Sequence, residues 1–214
     1  MKKIGILGSG IVAKTLGSGL LKHGYAVKLG TRNPEKLAEW KSSEKDEPEV
    51  GTFKEAAVFG EMVIMAVTGG AAKAALELAG AENLKNKTVI DATNPIADAA
   101  PDNGVLKFFT THDESLMEQL QNAFPSANFV KAFSCVGNAF MIDPKFESKP
   151  TMFICGNDEN AKIEVAHLLE EVGWESEDFG KVQSARAIEP LCMLWCIPGI
   201  LNNNWMHAFK LLKM

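Results

Sequence analysis

Apolar residues fall along the chain in short runs, separated by glycine, proline or charge. Lys3-Ile4-Gly5-Ile6-Leu7 and Ala26-Val27-Lys28-Leu29-Gly30 read as strands, with an amphipathic helix between them ending near His23. Glu61 to Val67 is almost continuously apolar, the pattern of a central parallel strand buried on both faces. Thr88 to Ala92 and Asn128 to Ala132 read as further strands, with helices over 71–79 and 114–124. The stretch 41–49 predicts a surface loop, Val50 to Phe53 a short edge strand, and Lys54 to Phe59 a short helix. Residues 97–111 are irregular and wrap the rim of the sheet. Beyond Pro144 come strands at Thr151 to Cys155 and Trp174 to Phe179. The helix between them, Glu159 to Val172, carries an apolar face of Ile163, Ala166, Leu169 and Val172, with Asn157 or Asp158 as its cap. Helix from Gln183 is predicted to break or kink at Pro198-Gly199. Asn204 is then the expected cap of a last helix bearing Trp205, Phe209 and Leu212.

Strands alternating with helices predict an α/β fold: a Rossmann-type doubly wound parallel sheet with right-handed crossovers, a small C-terminal α/β extension and covering helices. In such sheets ligands bind beyond the carboxyl ends of the strands. Four loops should converge there, at 8–12, 31–36, 67–70 and 93–96, with 133–138 at the far end of the crevice.

The first of these loops is Gly8-Ser9-Gly10-Ile11-Val12-Ala13, a G-x-G-x-x-A turn between strand and helix. Gly8 permits the tight turn, Gly10 lets the backbone approach a pyrophosphate, and Ala13 lets the helix pack on the sheet. The helix N-terminus then faces the phosphates. The second loop selects the dinucleotide. No acid stands at the end of the second strand to accept from a ribose 2′-OH. Thr31-Arg32-Asn33 follows instead, with Lys36 one turn on, and two cations there fit a 2′-phosphate. The expected cofactor is NADP(H), held by a domain over 1–144, with 145–214 packed on the same fold as acceptor cover and dimer interface.

Composition narrows the partners. With 22 basic and 27 acidic residues the net charge is −5, which argues against nucleic acid. The start of the chain enters a strand without a signal-peptide pattern, and the apolar run Leu191–Leu201 is shorter than the roughly 20 residues a membrane span needs. A cytoplasmic protein without a membrane partner is expected. Cys135, Cys155, Cys192 and Cys196 form no C-x-x-C pair, and no metal site is expected.

Ile4-Gly5-Ile6-Leu7-Gly8-Ser9-Gly10, Thr31-Arg32-Asn33-Pro34-Glu35-Lys36, Asp91-Ala92-Thr93-Asn94-Pro95 and Val130-Lys131-Ala132-Phe133 together resemble the NADPH-dependent F-420 reductase family. Its members transfer hydride between NADP(H) and a deazaflavin, and a related NADPH-binding module occurs in transmembrane metalloreductases. The resemblance reaches to about Phe179. It implies a phosphate turn of Gly8, Ser9, Gly10, Ile11 and Val12, and a 2′-phosphate group of Thr31, Arg32 and Lys36 around Asn33. It implies nicotinamide-flanking loops at Ala66, Val67 and Thr68, at Asn94 and Pro95, and at Ala132, Phe133 and Ser134 onward to Gly137. The family usually continues K-A-F with Asn-Thr. This chain has Ser134-Cys135-Val136-Gly137-Asn138, the floor of the acceptor site, so the departure bears on the acceptor and leaves the cofactor assignment intact.

Hydride transfer to a flat ring is mainly placement, in a water-poor slot. No side chain has to act as nucleophile, and the weak candidates for a polar contact are Ser134, Cys135 and His112. The leading expectation is an NADP-dependent reductase, as a homodimer, acting on a small planar acceptor such as coenzyme F-420 or a flavin. The alternatives are a non-catalytic NADPH/NADP⁺ sensor and a short imine or β-hydroxyacid reductase. The last needs a large helical domain, for which few residues follow Pro144.

Overall fold

In the computed structural model, which describes residues 2–46 and 48–214, eight strands join one sheet. They are β1 (Lys3–Leu7), β2 (Ala26–Gly30), β3 (Glu49–Gly51), β4 (Met62–Met65), β5 (Thr88–Asp91), β6 (Asn128–Lys131), β7 (Thr151–Gly156) and β8 (Glu175–Asp178). Their spatial order is β3-β2-β1-β4-β5-β6-β7-β8. The first six run parallel, the doubly wound arrangement expected. β7 pairs antiparallel with β6, at Val130–Gly156 and Lys131–Cys155, and parallel with β8. Residues beyond Pro144 thus extend the same sheet, with the chain direction reversed at β7.

The helices are α1 (Ile11–Lys22), α2 (Ala38–Ser43), α3 (Phe53–Phe59), α4 (Ala72–Ala79), α5 (Ala81–Leu84), α6 (Leu116–Ala123), α7 (Glu159–Glu171), α8 (Ala185–Ile188) and α9 (Leu191–Asn202). Period-two alternation in the strands feeds two cores. Ile4, Ile6 and Ile64 face α1 and α7, packing with Leu16, Leu20, Val165 and Leu169. Val63, Met65, Val89 and Phe129 face the other layer, with Leu76, Leu120 and Ile188. Strands buried on both faces need apolar residues at every position, which explains their continuous apolar runs.

Several local expectations change. Thr52 is not in a strand. Its hydroxyl accepts from the Glu55 N–H at 3.2 Å and the Glu55 carboxylate accepts from the Thr52 N–H at 2.7 Å, a reciprocal cap that starts α3 at Phe53. The loop expected over 41–49 is helical to Ser43 and joins β3 at Glu49, and position 47 lies outside the described residues. Asp158 caps α7, but the buried face of that helix is rotated. Lys162 points inward and Ile163 is 56% exposed, because Lys162 Nζ reaches Asp178 at 2.7 Å across the end of β8.

Pro198 does not break α9. It removes one intrahelical donor, but its φ suits a helix, and the helix runs on to a left-handed Asn203. No final helix follows. The tail's backbone is used elsewhere: the Thr151 N–H donates to Phe209 O at 2.9 Å, and the Leu211 N–H donates to Thr151 Oγ1 at 3.1 Å. Trp195 Nε1 donates to His207 O at 2.9 Å. The stretch Val182–Asn202 is long and apolar enough to cross a membrane by length and composition. It carries Arg186 and Glu189, however: the exposed Arg186 pairs with Glu118, and the buried Glu189 pairs with Lys131.

Candidate functional site

A cleft of about 470 Å³ opens beyond the carboxyl ends of β1, β2 and β4. It is lined by Gly8, Ser9, Gly10, Ile11 and Val12, by Thr31, Arg32, Asn33 and Lys36, and by Ala66, Val67 and Thr68. Three of the sequence-derived groups therefore meet in one place.

The turn is built for close approach. Gly8 has φ +150°, and a side chain there would meet the Ala66 carbonyl oxygen at 2.3 Å, so glycine is required by the sheet as well as by the turn. A side chain on Gly10 would meet nothing within 4 Å; it would project into free space. Gly10 is the N-cap of α1 and offers no side-chain cap, so the first N–H groups of that helix keep no partner of their own. A helix end left open beside a cleft suits an anion. Ile11, 64% exposed at the first helical position, stands at the rim.

At the end of β2, Thr31 is buried and its hydroxyl donates to Ser9 Oγ at 3.2 Å, joining the two loops. Arg32 and Lys36 are exposed, and among the described residues neither has an ion-pair partner. Two unpaired cations about an uncapped helix terminus fit a dinucleotide with a 2′-phosphate.

The later loops lie deeper. Asn94, Pro95, Ala132, Phe133 and Ser134 do not line the cleft. Pro95, Ala132, Phe133 and Ser134 are buried, and Asn94 is half-buried. Asn94 Nδ2 donates to Ser134 O at 2.7 Å. Asn94 Oδ1 and Ser134 Oγ are buried without a hydrogen-bond partner, so both keep unused polar capacity at this end. Phe133 holds a left-handed backbone, φ +61°, which a bulky residue adopts only under local constraint. Its N–H lies 3.1 Å from Met152 Sδ.

Of the side chains considered for a polar role, His112 is exposed, outside the cleft. The thiol of Cys135 is pushed up to about 12 by burial, so it is no nucleophile near neutrality. Among the described residues no group of three His, Cys, Asp or Glu could hold a metal ion. Phe53, Ala71, Ala74, Ala75, Leu78 and Ala92 also line the cleft and were not anticipated. Ala71, Ala74, Ala75 and Leu78 recur at helical spacing, the one signal that could have found them.

The family model described as NADP oxidoreductase coenzyme F420-dependent matches residues 3–95. Metalloreductase STEAP3 of Rattus norvegicus is 32% identical over 205 residues, 93% of this chain and 39% of the relative. The F420-dependent NADP reductase of Methanocaldococcus jannaschii is 32% identical over 114 residues, 53% of this chain and 51% of the relative. A crystal structure provisionally named an F420-dependent NADP reductase, from Arthrobacter sp. FB24, superposes with a TM-score of 0.91 at 32% identity, covering all of both chains. The chain thus spans well under half of the metalloreductase and about half of the methanogen reductase, but the whole of the Arthrobacter protein.

Proposed function

The chain belongs to the NADP oxidoreductase coenzyme F420-dependent family, and we propose that it transfers a hydride between NADP(H) and a planar acceptor such as a deazaflavin (coenzyme F-420) or a flavin. The observation that carries the cofactor half is the pair of cations, Arg32 and Lys36, that have no ion-pair partner among the described residues and stand beside the uncapped start of α1. When bound, the nicotinamide supplies the hydride. This chain's own groups bind and orient: the turn at Gly8 to Val12 takes the pyrophosphate, Thr31 to Lys36 the 2′-phosphate. Ala71, Ala75 and Leu78 give one side of the cleft an apolar wall. An acid or base is not required for hydride transfer between two rings, so the exposure of His112 and the buried thiol of Cys135 do not count against the reading.

The test is steady-state oxidation of NADPH against a deazaflavin, FMN, FAD, quinones and ferric chelates. Ferric chelates belong in the set because metalloreductase relatives match most of the chain. Turnover with one acceptor class supports the proposal and names the acceptor. Tight NADPH binding without turnover of any of them favours the sensor reading. The reading also carries a homodimer, formed through the exposed Leu194 and Leu201 on α9. A monomeric solution mass removes that part alone.

A further inference from the structure

At the carboxyl ends of β5 and β6 lies a cluster of charges that takes no part in the cleft. Lys131 is 0% exposed, and its three protons have three acceptors: Asp91 Oδ2 at 2.8 Å, Thr93 O at 2.9 Å and Glu189 Oε1 at 2.9 Å. Asp91 Oδ1 accepts from the Thr93 N–H at 2.9 Å and from Thr93 Oγ1 at 2.7 Å. The Glu189 carboxylate accepts from the Leu116 N–H and the Met117 N–H, both at 3.0 Å, and so caps the first turn of α6. The two carboxylates outweigh the single ammonium, and the positive end of α6 offsets the excess.

Such a cluster is a poor way to gain stability. Desolvating three charges costs several kcal/mol each, and well-packed apolar residues of the same volume serve as well or better. What apolar residues do not supply is direction. Each bond here ends on a particular backbone atom of one of two loops. Lys131 and Asp91 between them fix the N–H, the hydroxyl and the carbonyl of Thr93. The next residue, Asn94, then reaches Ser134 O across the gap, beside the constrained backbone of Phe133. Glu189, in the turn between α8 and α9, ties the C-terminal helices to the same point.

We infer that Lys131 and Glu189 are positioning residues: the buried Asp91–Lys131–Glu189 triad sets the loop after β5 against the loop after β6, shaping the nicotinamide end of the site while leaving its adenosine end untouched. The inference rests on the dinucleotide reading above. Neither residue lies in the stretch matched by the family model. Lys131 stands at the end of a strand and Glu189 in a turn, so neither touches the cleft.

The test compares two probes on the intact chain. NADPH spans both ends of the site, and 2′,5′-ADP fills only the end at Arg32 and Lys36. Glu189→Gln removes one charge from the triad at almost constant volume. It is expected to weaken NADPH about fivefold or more, the scale of one misplaced hydrogen bond, and to leave 2′,5′-ADP within about twofold. Arg186→Ala is the structural control. Arg186, on α8, pairs with Glu118 on α6, the helix that Glu189 caps, and bonds to neither loop, so its loss is expected to lower Tm alone. It is expected to leave the ratio of the two affinities unchanged. Thr93→Val, which deletes only the hydroxyl bonded to Asp91, reads the same ratio should Glu189→Gln not fold. A wild-type ratio in Glu189→Gln, or in Thr93→Val where that variant stands in, overturns the inference, as does an equal change in Arg186→Ala. Wild-type protein that binds neither probe overturns the dinucleotide reading and this inference together.

Discussion

Asn94 and Ser134 stand at the ends of different strands, yet the amide of one donates to the carbonyl of the other at 2.7 Å. That bond ties the loop after β5 to the loop after β6, and neither residue lines the cleft. Asn94→Ala should leave the two loops free to shift, and a displacement of about 1 Å at a reacting centre costs up to about a hundredfold in rate. The expected result is a fall in kcat of at least about tenfold with the productive acceptor, while 2′,5′-ADP binds as in the wild type. Initial rates and a calorimetric titration check the two halves.

Arg32→Ala removes one of the two cations offered to a 2′-phosphate. Binding of NADPH should weaken by more than about tenfold, and that of NADH should change little. Fluorescence titration with both nucleotides decides it. Equal losses would mean that Arg32 reads something common to both.

Gly8 and Gly10 should separate under substitution, although both belong to one turn. Gly10→Ala meets no neighbour within 4 Å, so stability should fall by no more than about 1 kcal/mol, the difference between glycine and alanine at an N-cap. Its methyl group nonetheless stands where a phosphate must approach, and NADPH should bind at least about tenfold more weakly. Gly8→Ala forces a methyl group against the Ala66 carbonyl oxygen and should cost about 2 kcal/mol or more. Thermal melts with and without NADPH show both effects.

Cys135 sits on the loop after β6, and burial, which disfavours the thiolate, pushes its thiol up to about 12. Alkylation by iodoacetamide at pH 8 should be slow in the folded protein. Cys135→Ala should keep turnover within about threefold, since a small buried thiol contributes packing and little else. A large loss of kcat with unchanged stability would return the thiol to the chemistry.

Glu118 gives the fold an acid-sensitive point. Its carboxylate accepts three bonds from Arg186 and two from Ser115, and the Arg186 bonds are the first cause of its lowered pKa. A carboxylate with a lowered folded pKa stabilises the fold fully above its ordinary value of 4.5 and loses that contribution as pH falls through the folded value. Urea midpoints should therefore drop below about pH 4.5, and Arg186→Ala should flatten that drop.

That the turn at Gly8 to Val12 and the cations after β2 meet in one cleft is legible in the sequence because the signals are local: glycine, a helix start and two basic residues each stand within a few residues of a strand end. The same holds for the strands, whose apolar runs report burial on both faces. What escaped was set by contacts between distant segments. Lys162 faces inward because Asp178 waits there, and nothing in the spacing of Ile163, Ala166 and Leu169 reveals it. Lys131 read as part of a family motif, while its partners Asp91 and Glu189 come from a strand and a turn far apart in sequence. The tail from Asn203 has the apolar content of a helix, but its backbone finds partners on Thr151 and Trp195 instead.

The two margins of the sheet both resist the addition of another strand. One margin is β3, only three residues long and pinned by Lys28 to Glu49 at 2.8 Å. The other is β8, Glu175-Ser176-Glu177-Asp178, whose acids are held by Lys210, Lys213 and Lys162 from outside the strand. A short margin and a charged one both resist strand-to-strand growth. Strand-to-strand growth of the sheet is thereby resisted at both margins, and apolar residues such as Leu194 and Leu201 on α9 can stand exposed without templating a fibre.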